Sequence, residues 1–173
     1  MFEDLQIIDY PDPRLRKVSE PVTQFDDRLK ALVTKMFELM RAHKGVGLAA
    51  PQVGENIRLF ICNPTGEPAD DRIYVNPELS EPTGGEEEGE EGCLSLPEIN
   101  GKIMRTKSLR MDAQDLNGNR FSDTQTGYLP RIWQHEFDHL NGTLIIDRMG
   151  ALAKMAAKKQ LKVLEEAYAK RKR

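Results

Sequence analysis

The 173-residue sequence has no long apolar run and only two cysteines, and each scarcity excludes a class of protein. No stretch of about 18 uncharged apolar residues is present, so we expect no membrane-spanning helix. The N-terminal segment is acidic and has no basic region before an apolar core, unlike transit peptides and secretory signals. We therefore expect a cytoplasmic protein, in which Cys62 and Cys93 are free thiols or metal ligands rather than a disulfide.

The charge of the chain is unevenly distributed. The formal net charge is −3, but residues 151–173 carry eight basic and two acidic side chains and so have a net charge of +6, which leaves −9 for residues 1–150. A basic tail can bind an anionic surface such as nucleic acid. The alternative is a solvated helix face with a frayed end, and charge alone favours this alternative.

Apolar spacing predicts three helices. The first begins at Asp26 or Asp27 and runs to about Lys44, since its apolar residues recur at helical spacing and Gly45 can end it. The second covers about 129–141 and has Pro130 in its first turn, where the missing N–H costs nothing. The third covers about 148–170.

Strand patterns lie between the first two helices. Alternating apolar residues predict strands at 57–61, 73–75 and 107–115, and Asn117-Gly118 predicts a hairpin turn before a strand at 120–126. The glutamate-rich segment Thr83–Gly92 is predicted to be an acidic loop. The chain is therefore predicted to be a single α+β domain over residues 1–173, with small, mostly antiparallel sheets around one buried helix.

The strongest chemical signal is the pair His135 and His139, with Glu136 between them. Residues four apart on a helix face the same side, so both imidazoles can bind one metal ion. Glu136 can then reach a water on that ion without being a ligand itself. A catalytic metal usually has three protein ligands and one open position, so a third ligand is needed.

Cys93 is the favoured third ligand, because a thiolate with two imidazoles makes a strong, moderately soft site. Among the downstream carboxylates, Asp147 is off the metal face if the helix ends near Asn141, whereas Glu165 and Glu166 remain possible on position alone. One of these would be the ligand in a small zinc endopeptidase. A closed structural site with Cys62 as fourth ligand is the other alternative, although it would give Glu136 no role. Without a partner nearby in sequence, Cys62 is predicted to be a core residue, as is Trp133.

Three segments in order resemble the motifs of the peptide deformylase family: 45–52 (GVGLAAPQ), 91–95 (EGCLS) and 134–139 (QHEFDH). The resemblance implies a deformylase-like fold and removal of the formyl group from N-formylmethionyl nascent peptides. It also implies one divalent metal ion, iron(II) physiologically, with zinc, nickel or cobalt possible in purified protein. The implied roles are metal ligands for Cys93, His135 and His139, acid/base catalysis for Glu136, and binding of the formyl oxygen by the Gln52 side chain and the Leu94 backbone N–H.

A substrate pocket is expected beside these motifs. Gly45 and Gly47 permit close backbone approach, so the peptide can add as a strand, and Gly92 gives the same freedom beside Cys93. The methionine side chain needs an apolar slot, for which the candidates are Val46, Leu48, Tyr128 and Ile132, although core packing is as plausible for Leu48 and Ile132. Glu91 and Arg105 are a candidate ion pair that orients ligands, and the basic tail becomes a candidate contact with ribosomal RNA.

Overall fold

A computed structural model describes all 173 residues. The chain forms four helices and five strands, together with three short 3-10 turns. The helices are α1 (Asp27–Ala42), α2 (Tyr128–Leu140), α3 (Ile145–Arg148) and α4 (Ala151–Arg171). The strands are β1 (Gly47–Ala49), β2 (Leu59–Cys62), β3 (Arg72–Cys93), β4 (Leu96–Gln114) and β5 (Arg120–Thr126).

All five strands belong to one antiparallel sheet whose spatial order, β1-β2-β3-β4-β5, is also the chain order. The α+β class is thus confirmed, although the strands form one sheet where several small ones were predicted. The turn between β4 and β5 is also confirmed at Asn117-Gly118. There the Asp115 carboxylate accepts bonds from the backbone N–H groups of Asn117 and Asn119 at 2.8 and 3.0 Å, and Gly118 has a φ of 82°.

The prediction of a loop at Thr83–Gly92 was wrong. This segment is the outer half of β3 and pairs with β4, with Glu88 opposite Met104 and Glu90 opposite Lys102. Its glutamates and glycines have low strand propensity, but the backbone hydrogen bonds to β4 hold it extended. The register shifts at several points along β3, including between Gly92 and Cys93. These irregularities bend the strand, and β3 ends at Cys93.

Helix α1 packs on one part of the sheet and confirms the first predicted helix. The Asp26 carboxylate caps its start by accepting the Leu29 N–H at 3.0 Å, and His43 ends it. Leu32 and Met36 are fully buried in a core that also contains Ile61 of β2. This core fixes the first sheet edge, and therefore the position of the segment that leads into β1.

Helix α2 lies across the sheet and carries the two histidines. Trp133 is fully buried, as predicted, and its ring meets Tyr74 edge-on with centroids 5.9 Å apart. Leu140 and Phe60 belong to the same core. One face of α2 is therefore held against the sheet, which fixes the rotation of the helix and directs its other residues towards the end of β3.

The C-terminal helices cover the end of the β3–β4 hairpin. Ile145 of α3 and Leu164 of α4 are buried with Leu96 and Ile103 of β4. The sequence predicted one helix from about residue 148, but Gly150 separates α3 from α4, which begins at Ala151. None of the four helices has both the length and the apolar character that crossing a membrane requires.

Candidate active site

Three metal-ligating side chains converge where β3 meets α2. The Sγ of Cys93 and one ring nitrogen each of His135 and His139 lie within 4.8 Å of one another. Cys93 Sγ and His139 Nε2 are 3.4 Å apart. A metal with bonds of ordinary length to sulfur and nitrogen in a tetrahedron needs these atoms about 3.6 Å apart. The spacing therefore fits one zinc-sized or iron-sized ion.

The positions of the ligands follow from the elements that carry them. His135 and His139 are one turn apart on α2, and their rings stand at 62° to each other with centroids 5.2 Å apart. Cys93 is the last residue of β3, directly before the turn into β4. His139 is only 1% exposed, and burial keeps its pKa well below the ordinary value, so its ring is neutral as a metal ligand must be.

The predicted pairing of Glu91 with Arg105 is present and is buried. Arg105 donates from Nε and Nη2 to the two carboxylate oxygens of Glu91, both at 2.9 Å, and Glu91 Oε1 also lies 2.9 Å from His135 Nδ1. Burial alone would raise the pKa of Glu91, but the bonds from Arg105 and His135 outweigh it and lower this pKa to about 2. Glu91 is therefore a permanent anion that directs the opposite nitrogen of His135, Nε2, towards Cys93.

Three further charged residues complete this network, and the sequence analysis did not find them. Arg131 donates to Glu91 at 2.7 Å, and Arg148 donates to both oxygens of Asp138 at 2.6 and 2.7 Å. Asp138 also accepts a bond of 2.7 Å from Arg105. Asp138 lies inside the histidine motif, which was a usable signal, but the spacing of the arginines along the chain gave none.

Glu136 lies beside the three ligand atoms with one oxygen unpaired. The residue is 3% exposed, its Oε1 is 3.7 Å from His135 Nε2, and its buried Oε2 has no hydrogen-bond partner. Burial, with a contribution from the Glu91 charge, raises the pKa of Glu136 to about 7. A carboxyl group of this pKa can both accept and donate a proton near neutral pH.

The Gln52 side chain is held by its neighbours and faces the same group. Its oxygen accepts the Ala49 N–H at 3.0 Å, and its nitrogen donates to Ser95 Oγ at 3.1 Å and lies 3.5 Å from Cys93 Sγ. Leu94 follows Cys93 directly and lines the same cavity. The Gln52 amide is thus a fixed donor beside the position where a metal ion fits.

A cavity of about 320 Å³ opens over these residues. It is lined by two of the three predicted ligands and by every predicted catalytic and substrate-binding residue except Leu48, which is fully buried in the core. These residues are Gly45, Val46, Gly47, Gln52, Gly92, Cys93, Leu94, Tyr128, Ile132, His135 and Glu136. His139 lies beneath the wall. Tyr128 is 53% exposed at the mouth, whereas Ile132 is 5% exposed and packs into the core as well as facing the cavity.

The residues required by the alternative readings lie elsewhere. Asp147 pairs with Arg16, and Glu165 accepts a hydrogen bond of 3.0 Å from the Tyr10 hydroxyl. Glu166 is exposed on α4. Cys62 is fully buried in the core and is not one of the clustered ligands. Neither a carboxylate third ligand nor a second cysteine is therefore brought to the histidine pair.

Comparisons with known proteins agree with this geometry. The family model described as polypeptide deformylase matches residues 4–155. The chain belongs to the polypeptide deformylase family. Among curated members of that family, it is 44% identical over 152 residues to a peptide deformylase of Thermotoga sp. strain RQ2, covering 88% of this chain and 91% of that protein.

Plant and parasite members of the deformylase family are similar as well. Peptide deformylase 1B of Arabidopsis thaliana, named chloroplastic/mitochondrial, is 41% identical over 166 residues, which is 95% of this chain and 61% of that protein. This chain thus spans about three fifths of the plant relative. A crystal structure of peptide deformylase from Plasmodium falciparum superposes with a TM-score of 0.92 at 42% identity, covering 95% of this chain and 97% of that one.

Proposed function

We propose that the chain is a metal-dependent peptide deformylase, which hydrolyses the formyl amide on the N-terminal methionine of newly made polypeptides and releases formate. One observation carries the proposal. The ligand atoms of Cys93, His135 and His139 lie within 4.8 Å of one another, and Cys93 and His135 line one open cavity together with Glu136 and Gln52. Membership of the deformylase family supports the same activity and substrate class.

The donor set suits a catalytic metal. One sulfur and two nitrogens are three ligands, the number that leaves a fourth position for water or substrate. A divalent ion bound there makes water more acidic and polarises a carbonyl group. Iron(II) is the ion implied by the resemblance to the family, with zinc, nickel or cobalt as substitutes. Because this donor set can bind all four metals, the native metal must be identified by analysis of purified protein.

Glu136 is the proposed proton carrier. Water attacks the formyl carbon, the bond between carbon and nitrogen breaks, and the proton lost by the water must reach the departing amine. The Glu136 carboxylate lies beside the ligand atoms, with Oε1 3.7 Å from His135 Nε2, and a pKa of about 7 lets this group accept that proton and give it up. Glu136 therefore acts first as base and then as acid.

Gln52 and Leu94 are the proposed donors to the formyl oxygen. Negative charge grows on that oxygen during attack, and donors already held in place stabilise it at little cost in reorganisation. Gln52 is fixed through Ala49 and Ser95 and is 1% exposed. The Leu94 N–H is fixed by the turn between β3 and β4.

The peptide is proposed to bind along the open edge of β1. This strand lies at the end of the sheet and pairs only with β2, so an extended peptide can add to its free side. Gly45, Val46 and Gly47 line the cavity at this edge. The methionine side chain then lies against Ile132 and beneath Tyr128.

The proposal has two further parts, a cytoplasmic location and a ribosome contact through the basic end of α4. A single domain over residues 1–173 stays a prediction. Residues 170–173 are four exposed cations. Neutralising them keeps α4, whose Leu164 is buried, and is expected to reduce co-sedimentation with ribosomes at low salt. Binding that is unchanged by neutralisation would contradict the contact.

The activity is tested by formate release from formyl-Met-Ala-Ser with iron(II) protein prepared without oxygen. We expect Glu136→Ala to retain its metal and to lose about 10²- to 10⁴-fold in kcat, which is what a general acid/base contributes. Glu88→Ala is the matched control, because Glu88 is exposed and lies outside the cavity. Cleavage of internal peptide bonds without formate release would overturn the proposal in favour of an endopeptidase.

A further inference from the structure

A continuous chain of charged hydrogen bonds runs from the surface to a proposed metal ligand. Arg148, the last residue of α3, donates to both oxygens of Asp138 on α2. Asp138 accepts Arg105 Nη1 at 2.7 Å, Arg105 holds both oxygens of Glu91 at 2.9 Å, and Glu91 Oε1 is 2.9 Å from His135 Nδ1. Four links therefore separate the guanidinium of Arg148 from the imidazole of His135.

The inner members of this chain are buried, and its outer end is exposed. The Arg148 side chain is 47% exposed, whereas the side chains of Asp138, Arg105 and Glu91 are 11%, 3% and 6% exposed. Charged groups this deep are costly to leave unpaired, so the inner links keep their geometry as long as every partner is present. Arg148 is the only member that solvent reaches freely, and it can be altered without opening a hole in the core.

Arg148 has a specific effect on how Arg105 is shared. Two buried carboxylates, Asp138 and Glu91, both bind Arg105, and Arg148 supplies Asp138 with a second cation. Without Arg148, Asp138 Oδ1 loses its only hydrogen bond, and Asp138 must draw its compensation from Arg105 alone. Arg105 is then pulled away from the carboxylate that orients His135.

We propose that Arg148 is a positioning residue for the metal centre, which fixes the orientation of His135 through Asp138, Arg105 and Glu91. The inference rests on the proposed function only in taking Cys93, His135 and His139 as the ligands. Arg148 touches neither the cavity nor the ligands. Its influence must therefore appear in the properties of the bound metal, and not merely in the stability of the fold.

The test compares Arg148→Met with Arg16→Met in cobalt(II)-loaded protein. Arg16 is a matched control: its side chain is 41% exposed and pairs with Asp147, the α3 residue next to Arg148, but no chain of hydrogen bonds joins it to a ligand. We measure cobalt affinity by competition with a chelator, the visible ligand-field spectrum, and thermal unfolding. Direct partners of metal ligands are worth 10- to 100-fold in affinity, so we expect about three- to tenfold for this more distant residue.

The expected result is weaker cobalt binding and an altered visible spectrum for Arg148→Met, with Arg16→Met within twofold of the unaltered chain. Equal affinities and identical spectra for the two variants would overturn the proposal, whatever their melting temperatures. If Arg148→Met does not fold, Arg148→Lys decides, since lysine keeps the charge but cannot bind both oxygens of Asp138. The cobalt affinity of Arg148→Lys should be lower than that of the unaltered chain, by no more than about threefold, and its visible spectrum should be shifted. An unchanged spectrum would refute the role.

Metal affinity is measured here without any formylated peptide. A chain that binds cobalt through this network but releases no formate would overturn the proposed function and leave the role of Arg148 intact. A chain that deformylates normally while Arg148→Met leaves affinity and spectrum unchanged would do the reverse. The two proposals therefore fail separately.

Discussion

Adding one methyl group at Gly47 should disable Glu136 without removing the metal. A Cβ built on Gly47 would lie 2.9 Å from Glu136 Oε1 and 3.1 Å from its Cγ and Cδ. Gly47 is part of β1 and its backbone is accessible to alanine, so the change introduces no backbone strain. Glu136 is 3% exposed and lines the cavity together with Gly47, so the cavity is the space into which its carboxylate can be displaced. The carboxylate must therefore shift within the site.

The size of the effect follows from that displacement. Restoring an ordinary contact requires Glu136 to move by about half an ångström or more, and a misplacement of about 1 Å in a reacting group can cost about 100-fold in rate. We expect kcat for formate release to fall about 100-fold, equivalent to about 2.7 kcal/mol of transition-state stabilisation. Overpacking should lower the free energy of unfolding by about 1–3 kcal/mol.

The assay combines steady-state formate release with metal analysis of Gly47→Ala. The metal content should match that of the unaltered chain, because the clash does not involve a ligand. Gly150→Ala is the matched control, since a Cβ there meets nothing within 4 Å. A kcat for Gly47→Ala within threefold of the control would refute both the contact and the role given to Glu136.

Four further outcomes are expected. Cys93→Ala should lose stoichiometric metal in elemental analysis, and a variant that keeps its metal would exclude Cys93 as a ligand. Burial, with a contribution from Glu136, raises the pKa of Cys62 from 9.0 to about 12, so mass spectrometry should find Cys62 unalkylated in the folded protein. Between pH 9.0 and about 12, only the Cys62 thiol of the unfolded chain ionises. The contribution of Cys62 to the free energy of unfolding is therefore present below pH 9.0 and is lost as the pH rises towards 12. Cys62→Ala should weaken this loss of stability at alkaline pH in denaturant titrations. Trp133→Ala should reduce the free energy of unfolding by about 3–5 kcal/mol, since it removes a fully buried ring, and a loss below 1 kcal/mol would contradict the packing.

Local patterns in the sequence predicted α1, α2 and the turn at Asn117-Gly118, because each depends on residues close together in the chain. They failed at Thr83–Gly92, where strand formation depends on pairing with β4 rather than on the propensity of the segment itself. The division between α3 and α4 was also missed. Gly150 alone did not indicate it, since the apolar spacing on either side is compatible with one continuous helix.

The candidate site was predictable where chemistry and spacing coincide. The His135–His139 pair lies on one helical turn, ligand chemistry favoured Cys93, and the family motifs supplied Gln52 at long range. The network behind the ligands was predicted only in part. Glu91 and Arg105 were paired by their chemistry, whereas Arg148 reaches Asp138 only because α3 folds back beside α2, a relation that no local pattern encodes.

The proposed ligands come from two separate elements, the end of β3 and one turn of α2, so a bound metal ion would also contribute to the stability of the fold. An ion bound by these ligands would be a reversible cross-link between the sheet and the helix, because it would join residue 93 to residue 139. The stabilisation depends on the free metal concentration: at one hundred times the dissociation constant, binding adds about 2.7 kcal/mol to the free energy of unfolding. A shortage of metal in the cell would thus lower the stability of the protein as well as its proposed activity.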